Sequence, residues 1–249
     1  MSLKGKSYVV TGGASGIGKA TVQKLLQQSA TVHAVDIASK MPDIDEGSGK
    51  LYAYMGIDLS NRNAVSAAFK TMGERSQTLF GLVHCAAIWR SNDLLAEDLS
   101  EVDELWRVNV LGTWITAVEF YKYTAKAPEG LKPRDPVPTT AAVVTFSSLA
   151  GRRSFPGMSA YVTTKHATIG LTKSMALEWG PRGIRVNCIA PGTVLTPMIA
   201  AVETGSTPVQ AVMKHALEPE ELADTALYLL SDASSGIVGQ VIDVNGGWM

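Results

Sequence analysis

A β-rich run, Lys6-Ser7-Tyr8-Val9-Val10-Thr11, passes directly into Gly12-Gly13-Ala14-Ser15-Gly16-Ile17-Gly18, after which Val22, Leu25 and Leu26 recur at helical spacing. Strand, glycine turn and helix thus follow one another without a spacer. Glycines suit a place where backbone must come close to an anion. A helix N-terminus offers unpaired N–H groups and a favourable dipole, and a Cβ there would block the approach. The spacing is GxxxGxG, which departs from the GxGxxG dinucleotide fingerprint. Alone, such a turn could be an ordinary βα connection. The next segment adds to it: Thr31 to Val35 reads as a second strand, and Asp36 stands at its end, where an acid would meet an adenosine ribose.

The same rhythm continues along the chain. Strands are expected near Ser7–Thr11, Thr31–Asp36, Leu51–Asp58, Gly81–Cys85, Ala141–Ser147, Arg185–Ala190 and Gln240–Val244, with helices between them and Pro219 in the first turn of a late helix. Alternation of this kind implies an α/β fold, a doubly wound parallel sheet of about seven strands with helices on both faces. Ligands in such sheets bind beyond the carboxyl ends of the strands, at the switch in strand order. The 249 residues show no polar linker, so one domain over 1–249 is expected. The formal charge is −1 without a long basic block, which speaks against nucleic-acid and anionic-membrane partners and for a small molecule. No apolar run reaches a membrane span, and the first apolar stretch is already the strand that feeds the glycine turn, so a soluble, cytoplasmic protein is expected. Cys85 and Cys188 both fall in expected strands and read as buried free thiols; no Cys/His cluster suggests a metal.

One segment breaks the rhythm. Lys126 to Pro138 carries four prolines and mixed charges between a long helix and the fifth strand. Because it enters that strand from its N-terminal side, it should lie on the face opposite a cofactor.

Tyr161 and Lys165 fall in an expected helix from Ser159 to Trp179, four residues apart on one face, and Ser148 stands thirteen residues before Tyr161. A fixed ammonium beside the phenol would lower its pKa and make it a usable general acid and base. Alone, the pair is better explained by an exposed lysine packing its stem over a half-buried aromatic.

Together these residues resemble the classical short-chain dehydrogenases/reductases. The resemblance covers essentially the whole chain, through the glycine motif, Asp58-Leu59, Asn109, Ser148, Tyr161/Lys165, Arg185-Val186-Asn187, Pro191-Gly192 and Thr196, in the family's order. It implies a Rossmann-type domain and a catalytic set of Asn109, Ser148, Tyr161 and Lys165. Tyr161 would pass the proton, Ser148 would orient the reacting oxygen, Lys165 would hold the cofactor ribose and support the phenolate, and Asn109 would hold a water. The spacing to Tyr161 selects Ser148 over Ser147. Gly12, Ser15, Gly16, Ile17 and Gly18 would cradle the pyrophosphate. Asp36 would accept from both ribose hydroxyls of NAD, and with no basic residue at Ser15 or Ile37 to meet a 2′-phosphate, NAD(H) is favoured over NADP(H). Asp58 and Leu59 would receive the adenine, although Asp58 could also cap the helix after it. Ala86, Pro191, Gly192, Val194 and Thr196 would line the nicotinamide half with Tyr161 and Lys165.

The chain also departs from the pattern. His84-Cys85-Ala86-Ala87 replaces the usual Asn-Asn-Ala-Gly, which removes a side-chain contact to the central sheet, and His84 reads as a buried sheet residue. Asn245 replaces the aspartate of a common Asp-Gly-Gly, a change expected to affect packing only. For the substrate, Trp89, Phe155 and Met158 should form an apolar wall, joined by Met198, Ile199, Val202, Val209, Val212 and Met213, beside Ser148 and Tyr161. Arg90, Arg152, Arg153 and His215 could hold an anion but read more readily as solvated charges. The leading function is NAD-dependent interconversion of a small apolar or alicyclic secondary alcohol and its ketone. An NADPH-type ketoreductase of an acyl thioester is a second reading, and a catalytically silent NAD-binding scaffold is a third. Family habit implies a homo-oligomer, tetramer or dimer, through the helices near Glu101–Tyr123 and Ser159–Trp179 and the C-terminal segment.

Overall fold

The computed structural model describes residues 3–90, 94–95, 98–130, 135, 137–200, 212–213 and 216–248. Val202, Val209 and His215, expected near the substrate, lie outside them. Seven strands, β1 (Ser7–Thr11), β2 (Thr31–Asp36), β3 (Lys50–Met55), β4 (Gly81–His84), β5 (Ala141–Phe146), β6 (Ile184–Pro191) and β7 (Val241–Val244), form one sheet in the order β3-β2-β1-β4-β5-β6-β7. Every pairing is parallel. The order reverses between β1 and β4, which makes the crevice above their carboxyl ends the expected ligand site.

Neighbouring residues of one strand feed the two faces, as the two-residue period of a strand requires. Tyr8 and Val10 join the core beneath α1 (Gly16–Gln27), with Leu25 and Leu26. Val9 joins the opposite core, which takes Phe69 from α2 (Arg62–Arg75). The helical chain then runs through α3 (Leu99–Leu105), a π-helical stretch (Trp106–Gly112) and α4 (Thr113–Tyr123), which supplies the fully buried Phe120. The long α5 (Ser159–Trp179) covers the same face, and the short α6 (Pro197–Ala200) precedes α7 (Pro219–Leu230), which lies against α1. A fully buried side chain such as Phe120 or Leu222 contributes roughly 1.5–3 kcal/mol. α7 begins with Pro219 in its first turn and a reciprocal cap between Glu218 and Glu221, as its sequence requires.

Three strands end earlier than their sequences suggest, β5 by one residue at Phe146. β3 stops at Met55 because Gly56 turns the chain with a φ of +71°, its N–H donating to Ala38 O, so Asp58 leaves the sheet. β4 stops at His84, which puts Cys85 after the strand and half-buried, whereas Cys188 is buried inside β6 as expected.

Side chains lock the sheet where polar groups are buried. Asn187 donates to Ile237 O at 2.7 Å and accepts from Gln240 N–H at 3.0 Å, and Arg185 donates to Ser234 O at 3.1 Å. The Arg-Val-Asn run of β6 therefore fastens the end of the chain to the sheet. The described part of the 126–138 segment meets the N-terminal ends of β5 and β6: Ala127 N–H donates to Arg182 O at 2.8 Å and Glu129 pairs with Arg182 at 2.6 Å. It thus lies at the edge opposite the crevice, as expected.

Candidate active site

A cleft of about 570 Å³ opens over the carboxyl ends of the strands. It is lined by Gly12, Ser15, Gly16, Ile17, Gly18, Asp36, Asp58, Leu59, Ala86, Ser148, Tyr161, Lys165, Pro191, Gly192, Val194 and Thr196, together with Trp89, Phe155 and Met198. Of the catalytic and cofactor residues singled out in the sequence, Asn109 alone stands outside this lining; Val212 and Met213, expected at the substrate wall, are exposed and do not line the cleft.

Three glycines shape the nucleotide end by having no side chain. A Cβ on Gly12 would stand 3.0 Å from Ala86 N, one on Gly16 3.0 Å from Thr196 Cγ2, and one on Gly18 2.0 Å from Gly12 O. Gly12 and Gly16 also hold positive φ, +64° and +48°. The N-terminus of α1 follows, with Ser15 making no side-chain cap and no acidic residue in the first turn, so its N–H groups remain available to an anion. A nicotinamide dinucleotide fits this edge: backbone cradle, uncapped helix end and a carboxylate at the end of β2. Asp36 accepts from Ala14 N–H on one oxygen and from Ala38 N–H on the other, both at 2.9 Å, which ties the glycine turn to β2. A shallower cleft beside Asp36 also holds Lys40 and Asp43, so a cation that the sequence reading did not weigh stands there between two carboxylates. Asp58 accepts from Ser60 N–H at 2.8 Å, but α2 is capped by Asn61, which accepts from Asn63 and Ala64; the capping alternative for Asp58 is overturned because the cap position falls three residues later.

The acid–base end is assembled from β5, its following turn and α5. Tyr161 and Lys165 lie on one face of α5 and both are buried. Ser148 stands beside the Tyr161 side chain, where its hydroxyl favours the phenolate, and it accepts from Ala150 N–H at 3.1 Å. Ser147 is committed elsewhere, donating to Lys165 O at 2.8 Å. Lys165 Nζ donates to Phe146 O at 3.1 Å and stands 5.5 Å from the centre of the Tyr161 ring. The expected lowering of the phenol does not appear. Burial pushes Tyr161 up to about 12 against the neighbouring Ser148 hydroxyl, because the ammonium is directed at a carbonyl and not at the phenol. Burial also lowers Lys165 to about 8.

Asn109 sits in the π-helical stretch, a geometry frequent at functional sites. Its amide accepts from Ile88 N–H at 2.8 Å and donates to Ile88 O at 2.9 Å and to Thr164 Oγ1 at 3.2 Å. It joins the loop after β4 to the residue preceding Lys165. His84 is buried, and its Nδ1 stands 3.1 Å from Thr11 Oγ1, which also accepts from Ala86 N–H at 3.3 Å. The cross-sheet contact expected to vanish with the asparagine is thus supplied by histidine. Burial and the nearby Lys165 hold His84 down at about 3, so it stays neutral.

Trp89, Phe155, Met158 and Met198 line the same cleft. Two of the arginines there are paired, Arg90 with Glu104 and Arg152 with Asp243, each at 3.0 Å. Arg153 stands over the Phe155 and Trp248 rings. Trp248 is among the lining residues that the sequence did not assign to the cleft. The turn that brings it there depends on Asn245, read as a packing change.

A glycine-cradled sheet edge that shares one cleft with a Ser/Tyr/Lys cluster has the parts of a nicotinamide-dependent oxidoreductase. A family model described as enoyl-(acyl carrier protein) reductase matches residues 12–249. The chain is 33% identical over 255 residues to 2,5-dichloro-2,5-cyclohexadiene-1,4-diol dehydrogenase of Sphingobium indicum, covering 99% of this chain and 98% of the relative. It is also 33% identical over 257 residues to 3-oxoacyl-[acyl-carrier-protein] reductase of Thermotoga maritima, covering 99% of each. Among solved structures, a short-chain type dehydrogenase/reductase from Mycobacterium ulcerans superposes with a TM-score of 0.86 at 26% identity, covering 100% of this chain and 91% of that one. The chain belongs to the short-chain dehydrogenase/reductase family, and it is an oxidoreductase of hydroxyl-bearing carbon.

Proposed function

We propose that the protein is an NAD-dependent oxidoreductase that interconverts a compact, apolar or alicyclic secondary alcohol and its ketone. The observation that carries this reading is the clustering of Ser148 with the buried Tyr161 and Lys165, which share one face of α5, in a cleft whose far wall is Trp89, Phe155, Met158 and Met198. Gly12, Ser15, Gly16, Ile17 and Gly18 hold the pyrophosphate, Asp36 the adenosine ribose, Asp58 and Leu59 the adenine, and Ala86, Lys165, Pro191, Gly192, Val194 and Thr196 the nicotinamide half. When bound, the nicotinamide supplies or accepts the hydride.

The chain's own residues move the proton. In the reductive direction Ser148 donates to the carbonyl oxygen, and Tyr161 releases its proton to that oxygen as negative charge develops. A phenol held at about 12 keeps its proton at neutral pH until the oxygen takes it, which suits the acid role. Lys165, at about 8, is charged at neutral pH and stabilises the phenolate that results. Asn109 positions Ile88 and Thr164, and through them the segment that carries Lys165. In oxidation the phenolate takes the alcohol proton and the sequence reverses.

Asp36 supports NAD over NADP, since a 2′-phosphate would approach its carboxylate. The acyl-thioester reading draws on the family model's description and the Thermotoga relative, and identity does not separate it from the cyclic-diol relative. The apolar wall favours the smaller substrate. We read 1–249 as one domain, supported by the single sheet, and the chain as a homo-oligomer, supported by Trp106, Leu111, Trp114 and Leu177, which remain exposed on the helices expected at the contact. Among the described residues no helix is long and apolar enough to cross a membrane, which agrees with a cytoplasmic location.

The test is a panel of secondary alcohols, cyclic ketones and a β-ketoacyl thioester, followed by NADH and NADPH absorbance. Tyr161→Phe should bind NADH and fold as the native enzyme while kcat falls at least ~100-fold, because only the transferable proton is removed. Substantial turnover in that variant, or activity confined to the thioester, would overturn the assignment.

A further inference from the structure

Trp248 reaches the cleft from the turn that follows β7. Asn245 Oδ1 accepts from the N–H groups of Gly247 and Trp248, both at 3.0 Å, and its Nδ2 donates to Trp248 O at 3.3 Å. Gly246 and Gly247, with φ of +70° and +95°, complete the turn. The turn is held on two sides. A Cβ on Gly192 would stand 3.0 Å from Asn245 Cα, and Met213 N–H donates to Gly246 O at 2.9 Å. This arrangement seats the Trp248 indole against Phe155 edge to face, with ring centres 6.4 Å apart and planes at 80°. The Arg153 guanidinium lies over both rings, 5.0 Å from Trp248 and 5.3 Å from Phe155.

One atom of this cluster is unaccounted for. Trp248 Nε1 is buried and has no hydrogen-bond partner. Buried donors are almost always satisfied, and indole N–H is a donor only. The residue that carries it lines the same cleft as Ser148 and Tyr161, in a wall otherwise made of Trp89, Phe155, Met158 and Met198. A purely apolar substrate would leave this donor unsatisfied. A substrate oxygen would satisfy it.

Resting on the oxidoreductase reading, we propose that Trp248 is a specificity-determining residue. Its indole N–H donates to a second oxygen of the substrate, distinct from the one that meets Ser148 and Tyr161. The preferred substrates are then cyclic compounds with two ring oxygens, hydroxyl or carbonyl, and simple cyclic ketones are poorer. A site built to hydrogen-bond a substrate group discriminates strongly against the analogue that lacks it, since its own donor is left unpaired.

The experiment compares cyclohexane-1,4-dione with cyclohexanone in two ways. With NADH, native kcat/KM per carbonyl should favour the dione by at least ~10-fold, and Trp248→Phe, which keeps a ring and removes the N–H, should bring the ratio to within ~2-fold. With NAD⁺-loaded enzyme, which cannot reduce either ketone, the ¹⁵N-indole resonance of Trp248, assigned by its loss in Trp248→Phe, should move on addition of the dione and stay in place with cyclohexanone. A resonance that moves without turnover of either compound would support the recognition and overturn the reaction reading. Turnover of both compounds with an unmoved resonance, or a ratio that survives Trp248→Phe, would overturn the recognition and leave the reaction reading standing. An unmoved resonance without turnover would overturn both.

Discussion

Replacing Asp36 tests the cofactor end of the cleft and separates two things this carboxylate does. Each oxygen accepts one backbone N–H, from Ala14 and from Ala38, so Asp36 both braces the glycine turn and presents negative charge where the adenosine ribose is expected. A 2′-phosphate carrying close to two charges at about 5 Å would meet repulsion of about 3 kcal/mol per charge at an effective dielectric of ~20. The half-exposed position and salt reduce this to an overall penalty of roughly 2–3 kcal/mol, or ~30- to 150-fold against NADP. In the other direction, a carboxylate accepting from ribose hydroxyls contributes roughly 1.5–3 kcal/mol to NAD binding.

Asp36→Ala should therefore lower kcat/KM for NAD by ~10- to 100-fold and raise it for NADP. Adding Ile37→Arg, at an exposed position, should raise NADP use further by supplying a partner for the phosphate. Asp36→Asn is the control for bracing. It keeps the side chain's shape and one acceptor oxygen, so it should relieve NADP with less damage to the turn than alanine. The assay is kcat/KM for both cofactors with one substrate. Native preference for NADP, or a parallel fall of both values in the double variant, would mean that Asp36 acts only on the turn and does not face the ribose. Lys40→Ala gives a further check, because loss of residual NADP activity there would assign that activity to the cation beside Asp36.

The remaining predictions concern charge, backbone and assembly. Lys165 is charged below its folded value of about 8, so NADH affinity, read by fluorescence titration, should weaken as pH rises through about 8, and Lys165→Met should abolish that dependence. Because burial lowers this lysine from its ordinary value of 10.5, the unfolded chain binds the extra proton between about 8 and 10.5, and the contribution of this group to stability increases with pH across that window. Gly18→Ala would place a methyl 2.0 Å from Gly12 O, a backbone atom that cannot swing away; a loss of ~1–3 kcal/mol should lower Tm by ~3–10 °C and weaken NADH binding, and an unchanged melting curve would refute the close approach. Light scattering at micromolar concentration should give a dimer or tetramer, and Trp114→Glu, on the exposed face of α4, should shift it toward monomer.

What was legible in the sequence is what a short stretch of chain decides for itself. β1, β2 and α5 begin and end where alternation and helical spacing place them, and the four-residue step from Tyr161 to Lys165 survives in three dimensions because one helix carries both. The end of β3 was not legible, since it is set by a turn whose partner lies elsewhere: Gly56 is held by Ala38 O. The Tyr161 pKa failed for the same reason. Spacing placed a cation near the phenol, but only the packed structure shows that the cation is spent on Phe146 O and that burial prevails.

His84 and Asn245 carry that argument furthest, because both looked like losses in a linear comparison. At position 84 an asparagine's contact to the sheet seemed to be missing, yet imidazole reaches Thr11 across the β1–β4 pair, and Gly12 opens the space that lets Ala86 donate to the same hydroxyl. The glycine turn and the His-Cys-Ala-Ala run are thus two halves of one joint at the switch point of the sheet, although over seventy residues separate them. At position 245 the side chain closes a turn that delivers Trp248 to the substrate end, where no periodicity could have placed it. Substitutions at such joints change what the cleft can hold while leaving the strand order intact. On the proposed reading, the acid–base chemistry rests on residues that can be read in order, whereas selectivity rests on contacts made only after folding.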